Sequence, residues 1–250
     1  MKLEDATVFI TGANGGIGKA LIKSLQLAGV AKIYAGARKV ETLAGIKAGD
    51  RERIFPIEVD ITNPDRVSAV AAQCQDTTLL INNAGVSRET GVISAPNLGD
   101  ARLEMETNYF GTMAMCRAFT PVLKANGGGA ILNILSLVSK ITVPFIGTYC
   151  ASKAAELSLT QCVRAELESQ GTLVVASMPS TVDTPFAKNY PSPKISPDEV
   201  AQVSLHAVIN DIEDVYPGEQ AFEISTQLLK DPKGVEKYVA GLLPELYPFA

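Results

Sequence analysis

The chain has 250 residues, 46% hydrophobic and 20% charged, which is enough apolar material for a large core and unlike a disordered composition. A net charge of -5 with no Lys/Arg cluster argues against nucleic acid or an anionic membrane as the main partner. His206 is the only histidine, which disfavours a His-ligated metal and Ser-His-Asp hydrolysis; no metal is expected, and any acid or base must come from Tyr, Lys, Asp, Glu or Cys.

The opening MKLEDATVFITG carries charges at Lys2, Glu4 and Asp5 and only a short apolar run, unlike a signal or transit peptide. No stretch approaches bilayer-spanning length. Strands are expected at 6–11, 31–37, 53–60, 78–83, 129–136 and 172–179, with helices at 16–28, 63–75, 99–125 and 147–169. Near-continuous apolar strands alternating with helices imply a parallel sheet buried on both faces, with right-handed crossovers. Pro56 places its strand at an edge or a bulge. After residue 180 a proline-rich segment reads as a long loop. Ser196-Pro197-Asp198-Glu199 then has a Ser cap, Pro at the first helical position and acids in the first turn, and Asp231-Pro232 looks like another helix start. Residues 1–250 are read as one doubly wound α/β domain of Rossmann type, with helices on both faces of the sheet. Cys74, Cys116, Cys150 and Cys162 show no paired spacing, so reduced thiols in a cytoplasmic protein are the simplest expectation.

The first strand runs into TGANGGIGKALIKSL, with glycines at 12, 15, 16 and 18 as a helix begins. Glycine lets backbone turn sharply and approach a phosphate, to which the helix N-terminus offers free N–H groups and positive dipole charge. The spacing of Gly12, Gly16 and Gly18 is G-x-x-x-G-x-G rather than G-x-G-x-x-G. The second strand ends Ala37-Arg38-Lys39, with no acid for a ribose 2′-hydroxyl. An acid there would repel a 2′-phosphate, whereas Arg38 offers it a forked, charge-assisted contact, so NADP(H) is the expected cofactor.

Tyr149 and Lys153 stand four apart in TYCASKAAE, one turn apart on one helix face. A cation so placed favours the phenolate and would bring the phenol toward working pH. Together TGANGGIG (11–18), NNAG (82–85), Asn108, Ser136 and YCASK (149–153) resemble the short-chain dehydrogenase/reductase family, in its order and at its intervals, over about residues 5–185. The resemblance implies that Gly12, Asn14, Gly16, Ile17 and Gly18 hold the pyrophosphate. It puts Asp60 and Ile61 at the adenine, and Asn83, Ala84 and Gly85 along the cofactor, with Asn82 stabilising the sheet. It also implies that Ser136, Tyr149 and Lys153 are catalytic, that Lys153 bonds the nicotinamide ribose, and that Asn108 helps hold a relay water. Pro179, Val182 and Thr184 match the stretch facing the nicotinamide, but Ser180 replaces the usual glycine there.

The expected substrate wall is 137–147 with a lid at 183–195, in which Val138, Val143, Phe145, Phe186 and Tyr190 join Ser136 and Tyr149. Such a lining selects hydrophobic or aromatic carbonyl compounds. Lys140, Lys188 and Lys194 are too few for a basic patch. Cys150 lacks a neighbouring histidine and reads as a packing residue. The resemblance further implies a homodimer or homotetramer through the helices 99–125 and 147–169. The hydrophobic tail LLPELYPFA is expected either at an interface or over the pocket. The leading expectation is an NADPH-dependent carbonyl reductase/alcohol dehydrogenase. An NAD(H)-preferring dehydrogenase of the same fold is the alternative. A lyase on this fold would lose the glycine loop and the lysine, and a dinucleotide-sensing regulator without turnover would lose Tyr or Lys; this chain keeps all of them.

Overall fold

A computed structural model describes residues 1–188 and 193–243. Seven strands form one parallel sheet: β1 (Thr7–Ile10), β2 (Lys32–Ala37), β3 (Ile54–Glu58), β4 (Leu79–Asn82), β5 (Ala130–Ile134), β6 (Leu173–Ser177) and β7 (Asp214–Val215), in the order β3-β2-β1-β4-β5-β6-β7. The helices are α1 (Gly16–Leu27), α2 (Ala44–Gly49), α3 (Pro64–Gln73), α4 (Gly99–Glu104), α5 (Thr112–Ala125), α6 (Gly147–Leu167), α7 (Pro197–Ile209), α8 (Glu219–Lys230) and α9 (Pro232–Ala240).

Alternate residues of each strand feed opposite layers, as a period of two requires. Val8, Ile10, Ile33, Leu79, Ile81 and Leu132 join Leu21 and Leu25 of α1 and Leu205 and Val208 of α7 in one core. Phe9, Leu80, Ile131 and Val174 meet Val67 and Val70 of α3 and Met115 and Phe119 of α5 in the other. This is the three-layer, doubly wound fold expected from the sequence, and each of the six expected strands is present. Pro56 lies in β3, which pairs only with β2, so its missing N–H breaks no second ladder. The anticipated caps also form: Ser196 accepts from Glu199 N at 3.1 Å, and Asp231 from Gly234 N at 2.8 Å.

Three elements lie beyond that reading. β7 is two residues long, and α2 and α8 carry no strong start signal in the sequence. The expected helix 99–125 contains a π-helical stretch, Met105–Gly111, between α4 and α5. The loop after residue 180 is clamped at its base: Asp183 N donates to Ile195 O at 2.8 Å, and Ile195 N to Thr181 O at 2.9 Å. Within it Pro185–Ala187 forms a helical turn. Tyr190, and Pro244 to Ala250 of the tail, lie outside the described residues.

The chain builds outward from β1 to β3 and then returns to place β4 against the other side of β1. The loops leaving β1 and β4 therefore diverge at the carboxyl edge of the sheet, and the crevice between them is where an α/β sheet binds its ligand.

Candidate active site

A single cavity of about 1380 Å³ follows that edge. Every cofactor and substrate residue expected from the sequence within the described residues lines it: Gly12 and Asn14 to Gly18 at one end, Arg38, Asp60 and Ile61 beside them, then Ala84, Gly85, Ser136, Tyr149 and Lys153, and Val138, Val143, Phe145 and Phe186 at the far end. Asn14, Ile17, Asn83, Pro179, Val182 and Thr184 line it as well.

The glycine turn is held from both sides. Thr11 Oγ1 accepts from Asn83 N at 2.9 Å and Ala84 N at 3.0 Å, which joins the loop after β1 to the loop after β4. Asn83 Nδ2 donates to the carbonyls of Thr11 and Gly12, both at 3.0 Å. Gly12 has φ +62°, and a Cβ there would stand 2.9 Å from Ala84 Cα. Backbone packed this closely, at the first turn of α1, leaves a side-chain-free cradle with N–H donors at its floor. Arg38 is exposed beside it on the cavity rim with Lys39. An N–H cradle plus a guanidinium is a donor set suited to a phosphorylated dinucleotide, so the residues present fit the expected cofactor. Asp60 is occupied locally, its Oδ1 accepting from Thr62 N at 3.0 Å and Thr62 Oγ1 at 2.7 Å.

At the centre of the cavity α6 presents Tyr149 and Lys153, both buried. Lys153 Nζ lies 6.0 Å from the Tyr149 ring centroid and donates to Ile134 O at 3.1 Å. A Cβ on Gly85 would stand 3.6 Å from the same nitrogen, so the ammonium looks past a bare backbone into the cavity. Phe186 packs over Tyr149 with ring centroids 5.8 Å apart. The phenol departs from expectation. Burial pushes its pKa well above the ordinary tyrosine value, and the Glu156 carboxylate pushes it further; a hydrogen bond with Ser136 opposes both. Enclosure of the side chain thus raises the phenol where the Tyr-Lys spacing alone anticipates a lowering.

Asn108 is fully buried and does not line the cavity. Its Oδ1 accepts from Val86 N at 2.8 Å, while Nδ2 donates to Val86 O and Ser152 Oγ, both at 2.9 Å. Ser152 in turn donates to Tyr149 O at 2.8 Å, so the asparagine braces the start of α6 from the π-helical stretch. Asn82 is likewise internal, donating to Asn133 Oδ1 at 2.8 Å inside the sheet. Cys150 is buried and its Sγ accepts from Val143 N at 3.3 Å; burial pushes its thiol up to about 11, in keeping with a packing role. Lys140 sits over the Tyr216 ring and Lys194 donates to Lys188 O, so none of the three loop lysines gathers at the cavity.

Further residues of the site lie outside the sequence expectations. Gln220 and Ile224 of α8, with Tyr238 and Val239 of α9 and Leu242, close the substrate end of the cavity. Nothing local in the sequence marks them, since only the chain's return brings them there. Glu156 is buried against Lys153 and carried a usable signal: a charged residue on the same helix face, three positions on.

Comparison with known proteins places the chain in one family. The family model for short chain dehydrogenase matches residues 6–194. A mouse protein, dehydrogenase/reductase SDR family member 7B, is 35% identical over 198 residues; the match spans 75% of this chain and 61% of that relative. The NADP-dependent 3-hydroxy acid dehydrogenase of Schizosaccharomyces pombe is 27% identical over 230 residues, covering 83% of this chain and 88% of that one. A crystal structure of a short chain dehydrogenase from Burkholderia cenocepacia J2315, in complex with NADP, superposes with a TM-score of 0.91 at 40% identity, over 98% of this chain and 100% of that one.

Proposed function

The chain belongs to the short-chain dehydrogenase family, and from that premise we propose that it is an NADP(H)-dependent oxidoreductase interconverting ketones or aldehydes with alcohols, on hydrophobic or aromatic substrates. The observation that carries this reading is one continuous cavity with a glycine cradle and Arg38 at one end, Ser136, Tyr149 and Lys153 at its middle, and an apolar wall beyond. The NADP in the Burkholderia complex and the NADP dependence named for the fission-yeast relative support the choice of cofactor.

Hydride reaching a carbonyl carbon leaves negative charge on oxygen, and the site must meet it with a proton and a donor. The glycine cradle and Arg38 would hold the reduced dinucleotide, which when bound would supply that hydride. Tyr149 gives its phenolic proton to the carbonyl oxygen, and Ser136 donates a hydrogen bond to the same atom. Lys153 stabilises the phenolate left behind and, facing the cavity past Gly85, holds the nicotinamide ribose. Asn108 keeps α6 in place through Ser152, and the family resemblance gives it the further role of helping to hold the water of the proton relay. Val138, Val143, Phe145 and Phe186 exclude water and select an apolar substituent. In the reverse direction Tyr149 is the base.

Among the described residues no helix is long and apolar enough to cross a membrane. The same reading carries a cytoplasmic location and a homodimer or homotetramer; association is supported by Phe110, an exposed aromatic in the helical stretch that leads into α5. The deciding experiment is a panel of ketones, aldehydes and secondary alcohols with NADPH, NADH and their oxidised forms. Tyr149→Phe is expected to lose at least about 100-fold in turnover, as removal of a general acid does, while still binding NADPH. Full turnover in that variant would overturn the assignment.

A further inference from the structure

Lys153 is committed to an acid. Positions 149, 153 and 156 fall on one face of α6 within two turns. Glu156 Oε2 accepts from Lys153 Nζ at 2.7 Å, and its Oε1 accepts from Thr112 Oγ1 at 3.1 Å. The pair is sealed from solvent, with side chains 4% and 1% exposed. Thr112 opens α5 immediately after the π-helical stretch that carries Asn108, so the carboxylate ties Lys153 to a second helix.

A buried carboxylate is costly unless paired, and a neutral side chain would fill the same space without that cost. Its placement has an electrostatic consequence for Tyr149. Lys153 alone would favour the phenolate; a carboxylate 2.7 Å behind that ammonium cancels part of its field.

We propose that Glu156 is a positioning residue that anchors Lys153 and offsets its charge, keeping Tyr149 in the protonated form that carbonyl reduction consumes. In reduction the phenolic O–H bond breaks and a new O–H bond forms on the substrate oxygen; a bound reduced dinucleotide would supply the hydride that completes the alcohol. Solvent returns the proton to the phenolate. Glu156 thus poises the site toward reduction near neutral pH, whereas oxidation, which begins from the phenolate, is favoured only at higher pH. The other groups acting on Tyr149 are Ser136, Cys150 and Glu104, and those facing Glu156 are Lys153 on its own helix and Thr112 and Cys116 on α5. Burial pushes the Glu156 carboxyl above its usual range, and Lys153 and Thr112 oppose that rise, so the pair itself sustains the charge that acts on the phenol.

This inference rests on the proposed roles of Tyr149 and Lys153, and its test separates the two. The variant is Glu156→Gln, which keeps a hydrogen-bonding group beside Lys153 and Thr112 and removes the charge. Two readouts follow: the pH profile of kcat/KM for alcohol oxidation, and ionisation of Tyr149 by NMR of 13Cζ-tyrosine, with the resonance assigned by its loss in Tyr149→Phe. Both are expected to move down by about one pH unit, the order of shift that removing one nearby charge gives at an intermediate effective dielectric. The alkaline limb of the reduction profile should fall by the same amount. Glu156→Met, which also removes the charge at similar volume, carries the same expectation and replaces Gln if that variant does not fold. Profiles and resonances that superimpose on those of the wild type would sink the inference. If Tyr149→Phe is inactive while they superimpose, only the role of Glu156 fails; if Tyr149→Phe is fully active, the underlying reading fails.

Discussion

Gly18→Ala tests how tightly the glycine cradle is built. A Cβ at position 18 would overlap the Gly12 carbonyl oxygen and stand 2.9 Å from Ala13 Cα and 3.0 Å from Ala13 C. Carbon contacts are comfortable at about 3.5–4.0 Å, so the turn must open by roughly 0.6 Å at Ala13 and further at the oxygen. These are backbone atoms and cannot rotate away as a side chain would. The Gly12 oxygen also accepts from Gly15 N and from Asn83 Nδ2, each at 3.0 Å, and its movement strains both bonds. Two hydrogen bonds at about 0.5–1.5 kcal/mol each give about 1–3 kcal/mol, the same range expected for overpacking a tight site. Most of that penalty falls on the cofactor's floor, so the NADPH dissociation constant should rise about 10- to 100-fold. The chain has no tryptophan, so titration calorimetry or NADPH emission is the suitable assay. Gly45→Ala is the control, because a Cβ there meets no atom within 4 Å. Binding in Gly18→Ala within about two-fold of wild type, with an unchanged melting temperature, would refute this picture of a close-packed cradle.

Arg38→Asp should raise the Michaelis constant for NADPH at least about ten-fold while changing that for NADH far less, since repulsion acts only on the 2′-phosphate. Equal effects in steady-state assays would remove Arg38 from phosphate recognition. Asp76 accepts from Lys32 Nζ at 2.6 Å and from Tyr34 OH at 2.8 Å. Burial opposes its ionisation, but these two bonds outweigh burial and hold its pKa below the usual value. Such a carboxylate stabilises the fold above its unfolded pKa, and the contribution disappears as pH falls through the folded value. The side chain is half exposed, so Asp76→Asn should cost at most about 1 kcal/mol at pH 7. Urea midpoints of variant and wild type should converge below about pH 4; a constant gap would contradict the assigned direction.

Much of the architecture was legible because it is written locally. The strands are short apolar runs between helical periods, and the cradle is four glycines at the end of one of them. Pro56 marks an edge because proline lacks one N–H, and Ser196-Pro197 marks a helix start because a cap and a fixed φ act within four residues. Other features were not legible for equally physical reasons. β7 is too short to show a pattern, and Arg164, in α6, holds it by donating to Asp214 at 2.7 Å and to the Glu213 carbonyl at 3.0 Å. Tyr238 and Ile224 reach the cavity only through the packing of α8 and α9 at the end of the chain.

The sequence by itself determined the doubly wound sheet, the glycine turn after its first strand and the Tyr149–Lys153 face of one helix, all of which follow from spacing along the chain. Only the tertiary structure decided how that face behaves. Enclosure around Tyr149 and the Glu156 carboxylate, itself held by Lys153 and the Thr112 hydroxyl of α5, act on the phenol. Burial and field depend on what surrounds a group in space, and no interval in the sequence encodes them.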